Sequence, residues 1–290
     1  MTKTTFGIMG GDLRSAYAAL YFAKQGYRVC AAGLENAPIL PAALKCSAKE
    51  ALAADAVVLP LPLLDGKGML FAPFAEAPVD AFSLVDMSRA GGVLLGGRVP
   101  RALAAHAEKH GRILLDYFAE ESLQLRNAVP TAEGTLAILM EELPVTVHGA
   151  QVAVTGFGRT AQTVARLLQA VGARVTVVAR KTAARALAQT MGLETLSFEM
   201  LERGTHRFDA LVNTVPAPVL TGEMLAGLGK DCVLVDIASA PWGFDAGAAE
   251  SLGFRARRAP ALPGRTAPAT AGTIVAQTVL EMLEERGKAV

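Results

Sequence analysis

The sequence predicts an α/β protein built of two doubly wound parallel-sheet domains with a cleft between them. Three observations carry that expectation. Short β-branched runs alternate with Ala- and Leu-rich stretches of helical spacing along the chain, the pattern of parallel sheets covered by helices. Strand-and-turn sequences recur in the same order in the two halves. The 290 residues, 52% of them hydrophobic, are enough for two cores, since a domain takes roughly 150 residues.

Taken in order, Thr5-Phe-Gly-Ile-Met9 reads as a first strand, followed by Gly10-Gly11 and a helix from Asp12 to Gln25. Arg28–Ala32, Asp55–Leu59, Phe82–Asp86 and Arg112–Leu115 read as later strands of the first half. Gln151–Thr155 opens the second half, with a glycine turn and a helix over Arg159–Ala170. Arg174–Ala179, Ala210–Asn213, Cys232–Asp236 and Phe254–Arg257 follow as strands. Asp55-Ala-Val-Val-Leu-Pro-Leu-Pro echoes Asp209-Ala-Leu-Val-Asn-Thr-Val-Pro, Leu84-Val-Asp-Met-Ser echoes Leu234-Val-Asp-Ile-Ala, and the turns at Gly10 and Gly156 correspond. Three matches at a common spacing of about 150 positions suggest tandem halves of similar topology. The connection falls between Asn127 and Pro144, where Thr131–Leu143 has helical spacing, with Pro130 before it and Pro144 ending it. A last helix over Ala271–Arg286 is placed by this architecture against the first half. The expected division is therefore 1–130, completed by 270–290, and 131–269.

Charge and cysteine usage narrow the class. Lys and Arg number 28 against 27 Asp and Glu, a net charge of +1, without the basic excess of a nucleic-acid binder. The chain is too apolar for disorder. No apolar run reaches the ~18 residues of a spanning helix; the longest, Ala56–Leu64, contains Pro60 and Pro62. After Lys3, a short apolar stretch is interrupted by Asp12 and Arg14 before a signal-peptide core forms. Cys30, Cys46 and Cys232 are odd in number and far apart, with no CxxC and no His nearby. That points to a reducing compartment and against a structural metal. The expectation is a soluble cytoplasmic protein with no nucleic-acid or membrane partner; homo-oligomerisation is allowed but not located.

Gly156-Phe157-Gly158-Arg159-Thr160-Ala161, directly after the Val152–Thr155 run and opening a helix, is the most specific signal. It is the GxGxxA form of the Rossmann dinucleotide fingerprint: Gly156 for the tight turn, Gly158 for backbone approach to a diphosphate, Ala161 for close helix–strand packing. An acid about 20 residues on would hold a ribose 2′-hydroxyl. Here the strand ending at Ala179 is followed by Arg180 and Lys181, with Arg185 a turn later and Arg159 in the glycine turn. Cations therefore stand where a 2′-phosphate would lie, and NADP is expected over NAD. Asn213-Thr214-Val215-Pro216 and Asp236-Ile-Ala-Ser239 follow later strands, and each reads either as a cofactor-facing loop or as a plain strand exit.

The first half has no third small residue after Gly10-Gly-Asp-Leu-Arg14, so it reads as a substrate domain. Loops expected at the cleft carry Arg14, Arg89, Asn127, Thr131, Ser239 and Arg265. Guanidinium groups bind carboxylates through paired hydrogen bonds, which suits an anionic ligand, although any one of these arginines is equally a surface residue. Of the four histidines, His106 and His110 lie on a helix, His148 precedes a strand and His206 sits in a loop before one. None follows a strand, where catalytic groups of this architecture collect, so a His base is not expected. Glu133 is the first candidate base and Asp12 the reserve; the plainer reading of Glu133 is a dipole partner in a first helical turn.

Gly10-Gly-Asp-Leu-Arg14, Asn127-Ala-Val-Pro-Thr-Ala-Glu-Gly134, Thr155-Gly-Phe-Gly-Arg-Thr160 and Leu262-Pro-Gly-Arg-Thr-Ala-Pro268 resemble, in order and across nearly the whole chain, the A subunits of dipicolinate synthases. More distantly, the layout is similar to D-2-hydroxyacid dehydrogenases, whose late catalytic His has no counterpart after Phe254. The resemblance implies NADP-dependent oxidation of dihydrodipicolinate, or its hydrated precursor, to the aromatic dipicolinic acid in sporulating bacteria. It also implies a second, flavoprotein B subunit as partner, and a small dicarboxylate substrate that would explain the arginines. Two other functions remain open: a non-catalytic NADP- or substrate-binding subunit supporting the flavoprotein, and a 2-hydroxyacid or shikimate-type dehydrogenase.

Overall fold

A computed structural model describes residues 4–287; Lys3 and residues 288–290 of the expected C-terminal segment lie outside the described residues. The chain divides into two units, one formed by the residues up to Asn127 and from Ala267 onward, the other by Ala128–Thr266. In chain order the first unit has β1 (Thr5–Met9), α1 (Leu13–Lys24), β2 (Arg28–Ala32), α2 (Ala48–Leu52), β3 (Ala56–Val58), α3 (Ala81–Met87), β4 (Val93–Gly96), α4 (Arg101–Lys109) and β5 (Ile113–Asp116). The boundary falls within α5 (Glu121–Glu142). The second unit continues with β6 (Gln151–Thr155), α6 (Arg159–Ala170), β7 (Arg174–Val178), α7 (Thr182–Thr190), β8 (Glu194–Leu196), α8 (Phe198–Arg203), β9 (Ala210–Asn213), α9 (Gly222–Ala226), β10 (Val233–Asp236), α10 (Ala246–Ser251), β11 (Arg255–Arg258) and α11 (Leu262–Thr266). The last helix, α12 (Pro268–Glu285), belongs to the first unit.

Both sheets are parallel throughout. The first runs β2-β1-β3-β4-β5 and the second β11-β10-β9-β6-β7-β8. Numbered within each unit these are 2-1-3-4-5 and 3-2-1-4-5-6, the two common doubly wound orders, whose ligands bind beyond the carboxyl ends where strand order reverses. The central strands are buried along nearly their whole length, as parallel strands covered on both faces must be. In the first unit α1 starts where the Asp12 side chain accepts the Arg14 amide, and it buries Ala16, Ala18, Ala19 and Phe22. Phe22 stacks on Phe6 of β1 with ring centroids 4.1 Å apart. Helix α12 lies against α1 so closely that a Cβ at Gly272 would collide with the Arg14 carbonyl and the Tyr17 side chain.

The internal echo is physical at Asp55 and Asp209. The Thr5 amide donates to Asp55 Oδ2 at 2.9 Å, and the Gln151 amide to Asp209 Oδ2 at 2.7 Å. Each acid also accepts, through its carbonyl, the first amide of the adjoining strand, Val93 in one unit and Val233 in the other. The Thr5 amide and hydroxyl hold the Asp55 carboxyl below the usual range.

The second echo requires correction. Phe82–Asp86 is helical, part of α3: Asp80 caps it by accepting the Ser83 amide at 2.7 Å, and Ala81, Leu84 and Val85 are buried at helical spacing. The strand equivalent to β10 is β4, so Leu84 and Leu234 are not counterparts. Strand β8 and helix α11 also stand where the sequence pattern predicts no such element. Pro130 lies inside α5, which starts at Glu121; the missing amide removes only the bond to the Arg126 carbonyl. The cysteines require correction as well. Cys30 of β2 and Cys46 form a disulfide, with Cα atoms 5.7 Å apart, because the chain returns beside β2 through an Ala31–Lys45 bridge. The inference of a reducing compartment loses its basis. Cys232 remains a buried thiol, its pKa pushed up to about 12 by burial. Among the described residues no helix is long and apolar enough to cross a membrane.

Gly272→Val forces the α1–α12 contact apart, and overpacking of this kind costs about 1–3 kcal/mol. A lowered urea or thermal unfolding midpoint is expected; an unchanged midpoint would mean that α12 separates from α1 without cost.

Candidate functional site

In the second unit the strand order reverses between β6 and β9. Gly156 there has φ +84°, and a Cβ on it would stand 2.8 Å from Thr214 Oγ1 and 3.0 Å from Val215 Cγ2. The chain itself thus requires this glycine. Gly158 differs: it is exposed, and nothing lies within 4 Å of where its Cβ would be. It occupies the N-cap of α6 without a side-chain cap, and no acid follows in the first turn. The open space over Gly158, at the amino end of α6, admits an anionic acceptor. Ala161, fully buried, lets α6 pack close to the sheet. These residues fit a dinucleotide diphosphate.

Below this turn runs a buried polar chain. Thr155 Oγ1 donates to Asn213 Oδ1 at 2.6 Å, and Asn213 Nδ2 donates to Asp236 Oδ1 at 2.8 Å and to the Val215 carbonyl at 3.0 Å. Asp236 accepts the amides of Ala238 at 3.0 Å and Gly243 at 2.7 Å. Asn213 and Asp236 are each 0% exposed, so neither side chain meets a cofactor. They fasten together the exits of β6, β9 and β10, which corrects their assignment as cofactor ligands. Phe157 likewise turns its ring into the core and offers only backbone. Thr214 donates its hydroxyl to the Thr155 carbonyl at 2.7 Å, which leaves half-buried Val215 and exposed Pro216 at the rim.

At the end of β7, Arg180 and Lys181 are exposed and follow the strand where an acid would stand in sequence; Glu199 lies within electrostatic reach of Arg185 nearby. Arg185 is committed elsewhere. Its Nη1 donates to the carbonyls of Ala179 and Arg180 at 2.6 and 2.9 Å, which fixes the loop that carries the two cations. Arg159 is exposed in the first turn of α6.

Two motifs distant in sequence meet in the same unit. A Cβ at Gly134 of α5 would stand 2.6 Å from Thr266 Oγ1 and 3.2 Å from Leu262 Cβ, so α11 lies directly on the Thr131–Gly134 segment. Glu133 sits in the middle of α5, not in its first turn. Glu133 and Arg265 are both exposed. The Thr131 carbonyl accepts the Thr135 hydroxyl at 2.8 Å. Half-buried Ser239 stands in the turn after β10, its carbonyl accepting the Trp242 amide.

In the first unit the reversal lies between β1 and β3. There the chain fills its own glycine turn: a Cβ on Gly11 (φ +96°) would overlap Ser15 Oγ and approach Pro60, and the Gly11 amide is taken by the Phe71 carbonyl at 2.7 Å. Arg14, 7% exposed, is held by Asp12 through Nε–Oδ1 at 2.9 Å and Nη2–Oδ2 at 2.8 Å, and it also donates to the Leu61 carbonyl. Both oxygens of Asp12 are engaged by Arg14, so in this structure Asp12 anchors Arg14. The pair lines a small pocket with Ser15, Val275 and Tyr117. The Tyr117 hydroxyl donates to the Leu59 carbonyl at 2.9 Å, and burial pushes its pKa up.

Arg89 requires a further correction. It pairs with Asp55 at the amino end of β3, the edge opposite Asp12 and Arg14. The sequence reading puts it after a strand, whereas it follows α3. Sequence reasoning missed Arg98, which follows the unread β4. Its left-handed φ of +60° is uncommon for a side-chain-bearing residue. Asp116 holds it there by accepting the amides of Arg98, Val99 and Phe118 at 3.0, 2.9 and 2.8 Å. The guanidinium lies 4.7 Å from the centre of the Phe118 ring. Gly96-Gly97 before Arg98 was the available signal. Asn127, on α5, is half-buried beside Arg126, which pairs with Glu281 of α12 at 2.7 Å.

A 3-2-1-4-5-6 sheet with an open glycine at its reversal is a dinucleotide-binding arrangement, and residues 140–241 match the D-isomer specific 2-hydroxyacid dehydrogenase, NAD binding domain, which makes the chain a nicotinamide-dependent oxidoreductase. Residues 5–118 match the N-terminal domain of the dipicolinate synthase A subunit. Over 289 residues the chain is 32% identical to the A subunit of dipicolinate synthase from Bacillus subtilis (strain 168), covering 98% of this chain and 97% of that protein. It therefore belongs to the family of dipicolinate synthase A subunits. The crystal structure of the Bacillus subtilis A subunit superposes with a TM-score of 0.86 at 31% identity, covering 98% of this chain and 97% of that one. The A subunit from Bacillus halodurans superposes at 0.87 with 29% identity, covering 98% and 99%.

Asn213→Ala removes the middle of the buried chain and strands the Thr155 hydroxyl and Asp236. Such a loss costs about 1–3 kcal/mol, expected as a lowered urea midpoint. An unchanged midpoint would mean that the three strand exits hold without it.

Proposed function

We propose that this chain is the dipicolinate-forming oxidoreductase subunit that oxidises dihydrodipicolinate, or its hydrated precursor, to dipicolinic acid with NADP, beside a flavoprotein second subunit. The single observation that carries the cofactor preference is the exit of β7, where Arg180 and Lys181 stand in the place of an acid. When bound, the dinucleotide supplies the hydride acceptor for the aromatisation. The chain's own part is to bind and orient. Gly158 and the first amides of α6 receive the diphosphate, and Arg180, Lys181 and Arg159 receive the 2′-phosphate. Arg14, oriented by Asp12, takes a substrate carboxylate. Asn127 of the first unit and Thr131, Ser239 and Arg265 of the second are each assigned as polar contacts for a carboxylate. Glu133, exposed on α5, accepts the proton lost from the ring; from the hydrated precursor, water is eliminated as well.

Dipicolinate formation from freshly generated dihydrodipicolinate and NADP+, followed by terbium luminescence, tests this reading. Product from the chain alone, slowed by Glu133→Gln with cofactor affinity intact, is expected. Product only on adding the flavoprotein would make this a binding subunit, and none in either case would sink the assignment.

Arg180→Glu should weaken NADPH far more than NADH. A lost charged contact is worth ~1.5–3 kcal/mol, or about 10- to 150-fold in Kd. Equal weakening of both cofactors in a fluorescence titration would refute the 2′-phosphate contact.

A further inference from the structure

Helices α3 and α4 lead into the amino ends of β4 and β5, so their last turns lie at the edge of the first sheet opposite Asp12 and Arg14. Asp86, His106 and His110 stand together there. His106 Nε2 is 2.7 Å from Asp86 Oδ1, and His110 Nδ1 is 3.9 Å from the same oxygen. One donor atom from each of the three lies within 4.8 Å of the others. Histidines four positions apart share a helix face, the spacing by which two imidazoles take one ion.

Each residue makes a further contact. His110 Nδ1 donates to the His106 carbonyl at 2.8 Å, which leaves the lone pair on Nε2. The His106 ring meets Phe82 edge-on with centroids 5.1 Å apart. Arg112 Nη2 donates to the Asp86 carbonyl at 3.1 Å, while its buried Nε has no hydrogen-bond partner. Such contacts orient metal ligands, and helix carboxyl ends favour positive charge.

We propose that Asp86, His106 and His110 bind a divalent transition-metal ion of the zinc class, with water completing the coordination. Two imidazoles and one carboxylate suit Zn2+, Ni2+ or Cu2+ over Mg2+ and Ca2+. A tetrahedral ion with bonds of about 2.0 Å sets its donors about 3.3 Å apart. The Asp86–His106 contact must therefore open slightly, and the His110 ring must turn to bring Nε2 inward in place of Nδ1, releasing its bond to the His106 carbonyl, which its exposure allows. The ion ties α3 to α4 and takes no part in the oxidation.

Zn2+ alone, titrated into the untagged full-length chain against a chromophoric chelator, tests the proposal. One equivalent should bind, with affinity at least tenfold weaker in His110→Gln and in Asp86→Asn. Zn2+ should raise the thermal midpoint of the parent chain and not that of His110→Gln, and Co2+ should give the visible absorption of a low-coordinate site. His110 and Asp86 are exposed, so both variants should fold. Absence of saturable binding, equal binding by the parent and the variants, or equal competition by Mg2+ would each overturn the assignment.

Discussion

The carboxamide of Asn213 is the interaction on which the cofactor-binding unit depends. A parallel sheet delivers its strand ends to one edge but does not fix how the loops beyond them sit. Here one side chain, wholly withdrawn from water, accepts from Thr155 and donates to Asp236, and so joins the exits of three adjacent strands. Asp236 passes the constraint on to the amides of Ala238 and Gly243. Buried polar groups are tolerable only when fully paired, and pairing of this completeness leaves the Gly156 turn little freedom. The open face over Gly158 is therefore a fixed feature of the folded unit.

Comparison of the two units shows how one architecture diverges at one edge. At the amino edge they repeat a single device, a carboxylate from the third or fourth strand that receives the first amide of the central strand. At the carboxyl edge they part. Ser15 and Pro60 close over Gly11, whereas nothing closes over Gly158. The first unit places the Arg14–Asp12 pair where the second leaves room for a diphosphate. Burying an ion pair is seldom a gain in stability, because desolvation offsets the attraction. The multiple hydrogen bonds of Arg14 make the arrangement tolerable, and its place at a strand-order reversal is where ligands of such sheets bind.

Charge is distributed to the same logic. Arg185 spends its donors on the loop carbonyls of Ala179 and Arg180, which leaves Arg180 and Lys181 turned outward. Asp116 spends its carboxylate on three amides and holds Arg98 in a left-handed conformation over Phe118. In each case a neighbour that binds backbone sets the position of a cation. The neighbour is not recognisable in sequence as part of a site.

Local signals were legible wherever the chemistry is local. Gly156, Gly158 and Ala161 have to be small for reasons contained in a strand, a turn and a helix, and the alternation of apolar runs sufficed for two parallel-sheet units. Phe82–Asp86 misleads because a short apolar run suits strand and helix alike, and only the Asp80 cap and the burial of one face separate them. That ambiguity hid β4 and Arg98 and put Arg89 at the wrong edge. By itself, then, the sequence determined the fold class, the dinucleotide turn and the cationic strand exit. Only the tertiary structure decided that Asn213 and Asp236 are internal, that Asp12 is spent on Arg14, that Cys30 meets Cys46, and that α11 lies on Gly134. Each of these depends on which distant segment arrives beside a residue, and long-range packing sets that, not local pattern.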